Sequence, residues 1–332
     1  MHILPFTADM VEDAAKLLAS RHQKDRLATA ALPCRFEREQ DARIAIETEW
    51  KKQGTSGAAA IKNGKLVGYL FGEKTASTIR GRHVWASLAS HSLASGQSAE
   101  LYQDLYAAAA QTWVDEGYFT HFTLIPAQDA SALHAWFCLG FGHEQAHGTL
   151  SLETLGEQTT TQLPLPGAQL RLATMDDRQA LGDVSPWIRT HQTMAPVFGV
   201  ALPEEGPKIR EGYSRLVEDP EVSVWIVEQA GQILSFQAYF PGEEDPAALL
   251  VPEKSVELGV AGTRPDARGM GLNHVLTQRG FQHAREKGAQ YVLTDWRMTN
   301  LQSSRHWPRQ GFVPTAYRLT RAIDPRIAWA RG

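Results

Sequence analysis

The sequence predicts a mixed fold of helices and strands, built twice as two similar halves in tandem. Its 332 residues are long for one domain and comfortable for two. Hydrophobic residues make up 43% and charged residues 21%, which is typical of a globular protein. Several segments of the first half also have counterparts in the second, as Asp129 and Asn300 show at a spacing of 171 residues.

Each half begins with a short strand pattern that leads into a helix start. Residues 3–9 and 170–176 have this form, and Thr or Asp supplies the cap in both. Side-chain oxygens of these residues accept hydrogen bonds from the unpaired N–H groups of a first helical turn. We therefore expect strand and then helix at both places.

A β-hairpin is predicted later in each half. Residues 58–70 and 224–236 each contain two β-rich runs around a short turn. The turns are Asn63-Gly64 and Ala230-Gly231, and a two-residue turn with Gly suits the twist of a hairpin. Between the halves, residues 156–167 are polar and then Pro-rich, which is typical of a linker.

The stretch from Thr263 to Leu276 has the strongest functional pattern. The apolar run 256–261 predicts a buried strand, and apolar residues at helical spacing follow from Leu272. Between them, Gly269 and Gly271 allow main-chain N–H groups to approach a ligand without a Cβ in the way. Such a helix start favours phosphate or pyrophosphate, because free amides and the helix dipole both attract an anion.

Two segments together resemble the signature motifs of the GNAT superfamily of acyl-CoA-dependent N-acetyltransferases. The first motif has Arg or Gln, Gly, and Gly or Ala at fixed spacing, and this chain has Arg268, Gly271 and, imperfectly, Asn273. The second motif is matched by five residues: Asn300, Ser303, Trp307, Gly311 and Phe312. The resemblance covers most of residues 168–320 and implies a twisted, mostly antiparallel sheet with a V-shaped gap for the pantetheine arm. It also implies acetyl transfer from acetyl-CoA to a small-molecule primary amine by direct attack.

The first half looks like a degenerate copy of this fold. Gln97, Glu100 and Tyr102 stand where the second half has Arg268, Gly271 and Asn273. A carboxylate and a bulky ring would repel and fill the place of a pyrophosphate. We therefore predict a GNAT-like domain at 1–160 that does not bind CoA and a catalytic domain at 168–332. The first half is left with three roles: shaping the acceptor pocket, covering a sheet edge, or forming a homodimer contact.

The resemblance implies a set of cofactor-binding residues in the second half. Main-chain groups of Val260, Ala261 and Thr263 are expected to pair with the pantetheine arm. The pyrophosphate cradle is expected from six residues: Arg268, Gly269, Met270, Gly271, Leu272 and Asn273. Asn300, Ser303 and Trp307 complete the set, although Asn300 could simply cap a helix, and Ser303 and Trp307 could simply pack.

Glu257 is the predicted general base, since some family members have a glutamate at this place. A partly apolar cleft would raise its pKa towards neutrality, and the first half has Ala86 at the equivalent position. A surface glutamate or one half of an ion pair is the alternative.

The proton for the departing thiolate has no evident donor. Trp307 occupies the position where many family members have tyrosine, and an indole N–H has no usable acidity. Tyr317 or His306 could substitute, or no acid is used, because a thiolate with a conjugate acid near pKa 8.5 is a fair leaving group.

The acceptor site is expected among the first helices of the second half and their loop. Aromatic rings beside carboxylates suit a cationic amine. The candidates are Trp187, His191, Met194, Phe198, Tyr213, Glu204 and Glu205. The identity of the amine stays open.

Composition and charge exclude several other classes of protein. The net charge of -4 and pI near 6.3 give no basic surface for nucleic acid, and no apolar run has the roughly 20 residues that cross a bilayer. The lack of a signal pattern and the two cysteines, Cys34 and Cys138, predict a cytoplasmic protein without disulfides, with Cys138 buried. No metal-ligand spacing is present, so we expect no metal. A non-catalytic acyl-CoA-binding or scaffold protein is the alternative to an enzyme.

Overall fold

The computed structural model describes residues 1–156, 163–243 and 245–330. Up to residue 156 the chain contains eleven strands and α-helices. These elements are β1 (His2–Pro5), α1 (Val11–Ala28), α2 (Glu39–Trp50), β2 (Thr55–Lys62), β3 (Lys65–Ser77), β4 (Gly81–Ala86), β5 (His91–Leu93), α3 (Leu101–Asp115), β6 (Thr120–Pro126), α4 (Ala130–Cys138) and β7 (Gly142–Ser151).

The second half has a similar order, with one more helix near its start, a single strand where the first half has β4 and β5, and a further short helix at its end. Its elements are β8 (Gln169–Leu172), α5 (Arg178–Val184), α6 (Pro186–Thr193), α7 (Gly206–Ser214), β9 (Ser223–Gln229), β10 (Gln232–Pro241), β11 (Ser255–Thr263), α8 (Leu272–Glu286), β12 (Tyr291–Arg297), α9 (Ser303–Arg309), β13 (Val313–Ala322) and α10 (Ile327–Ala330).

The chain forms two compact units that interleave along the sequence. Unit 1 contains residues 1–147, 243–251 and 314–332, and unit 2 contains residues 148–242 and 252–313. Sequence spacing predicted two consecutive halves, whereas nearly all of β13 belongs to unit 1. Residues 157–162 of the predicted linker lie outside the described part of the chain, so a boundary there stays a prediction.

Unit 1 has a mixed sheet in which β13 pairs antiparallel with β6 over Ala316–Ala322. The β4 strand pairs parallel with β6, and the β1–β2–β3 run is antiparallel. Helices α1 and α2 cover one apolar cluster, and α3 and α4 cover another that contains Trp113 and Trp136. The unit therefore has a full core of its own.

Unit 2 has the sheet order β8–β9–β10–β11–β12, with only β11 and β12 parallel. The apolar face of α5 and α7 packs on a cluster around Phe236 and Ile226. Helix α8 lies on the opposite face, where Tyr239 passes so close to Gly280 that a Cβ there would be 2.2 Å from the tyrosine oxygen.

The predicted hairpins are both present. Strands β2 and β3 join at Asn63-Gly64, and β9 and β10 join at Ala230-Gly231. All four turn residues have φ between 50° and 74°, the left-handed values that a two-residue turn between twisted strands requires. The prediction of a buried Cys138 is wrong: the thiol is exposed at the end of α4, 3.6 Å from His134 Nε2.

Candidate active site

Strand β11 loses its second neighbour halfway along its length. It pairs with β12 only over Ser255–Glu257, and Thr294 Oγ1 then donates to the Leu258 carbonyl at 2.9 Å. Pairing with β10 continues to Thr263. Beyond Leu258, therefore, one edge of β11 faces away from β10 without a β12 ladder beside it, which is the V-shaped gap that the family resemblance implied.

A β-bulge sets which main-chain groups point into this gap. Ala238 pairs with Val260 and Tyr239 with Leu258, so Gly259 is the extra residue. Arg264 N donates to the Leu234 carbonyl at 2.8 Å, so these two residues form a hydrogen-bonded pair. Because hydrogen-bonded and non-hydrogen-bonded pairs alternate along an antiparallel ladder, the adjacent Ser235–Thr263 pair is non-hydrogen-bonded. By alternation, the N–H and C=O groups of Thr263 and Ala261 point into the gap.

Val260 differs from the other two predicted main-chain ligands. The same alternation directs its N–H and C=O groups towards Ala238 on β10. The prediction that Val260 pairs with the pantetheine arm is therefore wrong for this register. Its side chain instead packs at the edge of the apolar cluster under α5 and α7.

The glycine turn joins this strand edge to α8. Gly269 and Gly271 both have φ of +78°, where a side chain would be strained, and Gly271 is the residue immediately before the helix. A Cβ on Gly269 would meet no atom within 4 Å, so open space adjoins the main chain there. Met270 is exposed between the two glycines.

Arg268 lies at the rim of the same turn. Its Nε donates to the Thr263 carbonyl at 3.3 Å, and the side chain is half-buried. The N–H groups of Leu272 and Asn273 begin α8, whereas those of His274 and Val275 already donate to the Gly271 carbonyl at 3.1 Å and 3.3 Å. An arginine, two left-handed glycines and a helix start thus lie in sequence along one loop.

Asn273 turns its side chain away from this loop. Its Oδ1 accepts from Gln237 Nε2 at 2.7 Å, and its Nδ2 lies 2.9 Å from His306 Nε2. The side chain that departs from the family pattern is therefore held by β10 and α9, and its main-chain N–H stays at the helix start.

Asn300 caps α9. Its Oδ1 accepts from the main-chain N–H groups of Gln302 at 3.2 Å and Ser303 at 3.4 Å. The same oxygen lies 3.3 Å from His191 Nε2 on α6. The capping role that the sequence left open is thus observed, and a role towards CoA stays a prediction for Asn300 and Ser303.

Trp307 and His306 both lie against other protein groups, and the acid role that the sequence left open for His306 stays a prediction. Trp307 is buried, with its ring 5.8 Å from that of Phe312 in an edge-to-face contact. Burial, with His274 and Arg309 nearby, lowers the pKa of His306 to about 4. His306 is therefore neutral near pH 7, and its Nε2 faces a donor rather than a substrate.

Glu257 is exposed on β11, opposite Phe240 and Leu293. The partly apolar surrounding predicted for its carboxylate is not observed. Because Phe240 belongs to the cluster under α5 and α7, Glu257 lies on the sheet face that carries those helices. Asp295, two residues beyond Leu293 on β12, lies on the same face and is also exposed. Strand alternation over 291–297 is the signal that could have revealed Asp295 in the sequence.

Tyr317, the other predicted acid, belongs to unit 1, whereas the glycine turn belongs to unit 2. Its ring stacks on His143 with 4.4 Å between ring centroids. A catalytic role for Tyr317 stays a prediction that no contact within unit 2 supports.

The predicted acceptor residues fall into two groups. Trp187 and Tyr213 are partly buried against Phe236, and burial raises the pKa of Tyr213 to about 12. Met194 and Phe198 are exposed by 61% and 74% on the loop after α6, so they remain available to a ligand. Glu204 is exposed as well, and Glu205 is half-buried.

The corresponding strand of unit 1 is built differently. It is interrupted between β4 and β5 by a short 3₁₀ turn at Leu88–Ser90. Arg21 from α1 donates to the carbonyls of Leu88 (2.8 Å) and His91, and Tyr69 donates to the Ala89 carbonyl at 3.0 Å. The main-chain carbonyls at this break therefore already accept hydrogen bonds from side chains of unit 1.

His91 closes the same region from the strand side. Its Nε2 lies 2.8 Å from the Leu124 carbonyl of β6, and its ring packs edge-to-face on Tyr102. Tyr102 is itself buried, and Glu100 has a right-handed φ of -57°, unlike Gly271. No sequence motif marks Arg21, because its partners lie about 70 residues away.

Strand register also corrects one equivalence between the halves. Glu257 lies opposite Phe240 and Leu293, whereas the residue of unit 1 between Glu73 and Phe122 is Trp85. Trp85, not Ala86, is therefore the counterpart of Glu257. Unit 1 still has no carboxylate there.

Comparison with known proteins finds a family match for the second half of the chain. The family model for the acetyltransferase (GNAT) family matches residues 187–312. This region is therefore similar to the acetyltransferase (GNAT) family. The match spans α6 to α9 and so includes the gap, the glycine turn and both motifs.

Two curated relatives of this chain have the same name. It is 29% identical over 205 residues to a mycothiol acetyltransferase of Geodermatophilus obscurus, which covers 57% of either protein. It is 33% identical over 110 residues to a mycothiol acetyltransferase of Cellulomonas flavigena, which covers 32% of this chain and 31% of that one. The alignments thus span about a third to somewhat over half of these relatives.

Two solved structures resemble the whole chain. A tandem GNAT protein from the clavulanic acid biosynthesis pathway has a TM-score of 0.52 at 16% identity, over 98% of this chain and 99% of that one. A GCN5-related N-acetyltransferase from Sphaerobacter thermophilus has a TM-score of 0.59 at 15% identity, over 97% and 96%. This likeness confirms the predicted mixed α/β fold with two GNAT-like parts.

Within the described residues, no three His, Cys, Asp or Glu side chains are grouped so that they could hold a metal ion. No helix in the same part of the chain is both long and apolar enough to span a bilayer.

Proposed function

We propose that this protein is an acetyl-CoA-dependent N-acetyltransferase that uses unit 2 to acetylate a primary amine. The family match and the relatives' names support acetyl transfer. One observation carries the assignment to unit 2: the open edge of β11 beyond Gly259 leads directly into the left-handed glycine turn at the start of α8. A strand edge and an anion cradle in series suit a ligand with an amide-bearing arm and a pyrophosphate.

The residues fit this ligand in three places. Ala261 and Thr263 present main-chain groups that can pair with the arm's amides. Gly269 and Gly271 leave the cradle free of Cβ atoms, and the 15-residue α8 directs its N-terminus at it. Arg268 adds a positive charge at the rim. When bound, acetyl-CoA supplies a thioester whose carbonyl carbon is open to attack by an amine.

Proton transfer from the amine is assigned to Glu257. The acceptor must lose a proton to become nucleophilic, and Glu257 lies on the face that carries α5 to α7, where the acceptor is expected. Its exposure means that the carboxylate acts through water or becomes enclosed once substrate binds. The new N–C bond forms as the C–S bond breaks, and the thiolate leaves without an acid from Trp307 or His306.

A binding test separates unit 2 from unit 1. Saturating acetyl-CoA at about 100 times Kd is expected to raise the Tm of the whole protein by about 5–10 °C. Arg268→Glu should abolish that rise through charge repulsion. Gln97→Glu is the matched control at the equivalent position of unit 1, and it should leave the rise intact. A loss with Gln97→Glu and not with Arg268→Glu would move the site to the other unit.

A turnover test separates an enzyme from a scaffold. Thiol release is followed with a panel of amines: polyamines, amino acids, aminoglycosides and the unacetylated precursor of mycothiol. The last is included because of the relatives' names. Amine-dependent thiol release supports catalysis. Tight binding of acetyl-CoA without release for any amine would favour the non-catalytic acyl-CoA-binding alternative.

A further inference from the structure

Two side-chain bridges connect the first turn of α8 to α9. Asn273 Nδ2 lies 2.9 Å from His306 Nε2, and His274 Nδ1 lies 2.9 Å from Gln310 Oε1. The two differ in their surroundings, because Asn273 and His306 are half-buried and His274 is exposed. The inner bridge is thus the one that water can replace less easily.

The inner bridge continues into a buried polar network. Gln237 on β10 is fully buried, and its Nε2 reaches Asn273 Oδ1 at 2.7 Å and Thr277 Oγ1 at 2.8 Å. Tyr239 donates to Gln237 Oε1 at 2.7 Å. Thr277 Oγ1 in turn donates to the Asn273 carbonyl at 2.8 Å. Hydrogen bonds to Gln237 therefore fix which end of the Asn273 amide is the acceptor.

This orientation decides the chemistry of the bridge. With Oδ1 receiving from Gln237, the Nδ2 group of Asn273 must be the donor towards His306. His306 Nε2 must then accept, which requires the neutral ring with its proton on Nδ1. Burial lowers the pKa of His306 to about 4, in agreement with that form near pH 7.

We propose that Asn273 and His306 are positioning residues that hold the first turn of α8 in the orientation that binds the pyrophosphate of acetyl-CoA. The proposal rests on the function proposed above. Family resemblance placed Gly or Ala at the position of Asn273, so the network is an addition made by this chain. It links β10, α8 and α9 around the cradle without placing either side chain on the ligand.

The physical reason is the geometry of the donors. The N–H groups that follow Gly271 bind an anion only when they converge on one point, and that depends on the tilt of the first helical turn. Gly269 and Gly271 leave this turn little restraint from the main chain on its N-terminal side. Side-chain contacts from β10 and α9 supply the restraint and reduce the ordering that binding would otherwise require.

Asn273→Ala and His306→Ala are the test variants in the full-length protein. Calorimetric titration with CoA should show an increase in Kd of about five-fold to ten-fold, as expected from losing one buried hydrogen bond. The KM for acetyl-CoA should rise by a similar factor and by more than kcat falls. His306→Gln, whose Oε1 can accept from Asn273, should restore most of the affinity.

Gln310→Ala is the matched control, because it breaks the exposed bridge between the same two helices. Its Kd for CoA should stay within about two-fold of the wild-type value. A lower Tm for Asn273→Ala and His306→Ala with unchanged Kd and KM would overturn the proposal and leave a purely structural role. Absence of CoA binding by the wild-type protein would overturn the proposed function as well, so the two failures are distinguishable.

Discussion

In both units one strand separates from its neighbour, but the main-chain groups that this leaves unpaired are treated differently in the two units. In unit 2 the strand continues through a bulge at Gly259, main-chain groups of Ala261 and Thr263 point away from β10, and the Thr263 carbonyl accepts from Arg268 Nε. In unit 1 the strand breaks at Leu88–Ser90, and Arg21 and Tyr69 take the main-chain carbonyls. A splayed strand exposes polar groups that must be satisfied by ligand or by protein.

The difference also appears in the charges. Arg21 is 8% exposed and paired with Asp25 at 3.2 Å, so its guanidinium is committed to the interior of unit 1. Arg268 is half-buried at the rim of the turn in unit 2. In unit 1, contacts within the protein therefore occupy the main-chain carbonyls of this strand. The comparison predicts that substitutions in this region of unit 1 reduce folding stability. Substitutions in the same region of unit 2 should instead weaken ligand binding.

Low pH is expected to give the largest difference in folding stability between the two units. Burial lowers the pKa values of His22, His91 and His121 in unit 1 to about 4, 3 and 4. The unfolded chain binds these protons near pH 6.5, so stability is full above that pH and falls as the pH drops towards 4. At pH 5 each histidine should cost about 2 kcal/mol.

Urea unfolding at pH 7.5 and pH 5, followed by hydrogen exchange of each unit, measures this effect. His91→Gln keeps a donor for the Leu124 carbonyl and should reduce the loss at pH 5. Equal acid loss in the variant and in the wild type would show that His91 is not responsible.

Removal of Arg21 is the next largest expected effect. Arg21→Ala leaves Asp25 buried without its partner and the carbonyls of Leu88 and His91 without a donor. The free energy of unfolding should fall by about 3–5 kcal/mol in denaturant titration. Arg268→Ala is the comparison variant in unit 2 and should change the free energy of unfolding by less than about 0.5 kcal/mol. Similar losses for the two variants would contradict the contrast between the units.

Glu257→Gln tests the chemistry of unit 2. The amide cannot take a proton, so kcat should fall about 100-fold with little change in the Kd for acetyl-CoA. Asp295→Asn removes the other carboxylate on that face and serves as the control. A larger fall with Asp295→Asn would transfer the role of base to Asp295.

The glycine before α8 gives a smaller expected loss of stability than Arg21. Gly271→Ala places a Cβ at φ of +78° and should cost about 1–2 kcal/mol of stability, with weaker CoA binding by calorimetry. Glu100→Ala, at φ of -57° in unit 1, should be nearly neutral in both measurements. An unchanged Kd in Gly271→Ala would mean that the turn does not form the cradle.

Local sequence patterns predicted much of the fold. Asn63-Gly64 and Ala230-Gly231 indicated both hairpins, and the apolar spacing from Leu272 located α8, because these features depend on neighbouring residues. Gly269 and Gly271 were found for the same reason. The bulge at Gly259 was not predicted, since it depends on the register between β10 and β11.

Long-range contacts explain the remaining differences. Arg21 and His91 are far apart in sequence, and only the folded chain brings the guanidinium to the His91 carbonyl. The exposure of Glu257 and the counterpart Trp85 likewise follow from strand register. Spacing alone could suggest which residues belong to a site, but it could not show which main-chain groups of that site face the gap.

The position of β13 has a consequence for synthesis of the protein. Unit 1 needs residues 316–322 beside β6, yet more than 160 residues separate Ile125 from its partner Tyr317. A ribosome therefore finishes nearly all of unit 2 before unit 1 can acquire its last strand. Until β13 has been translated, the nascent N-terminal part should expose the unpaired edge of β6. Such an edge is a binding site for chaperones.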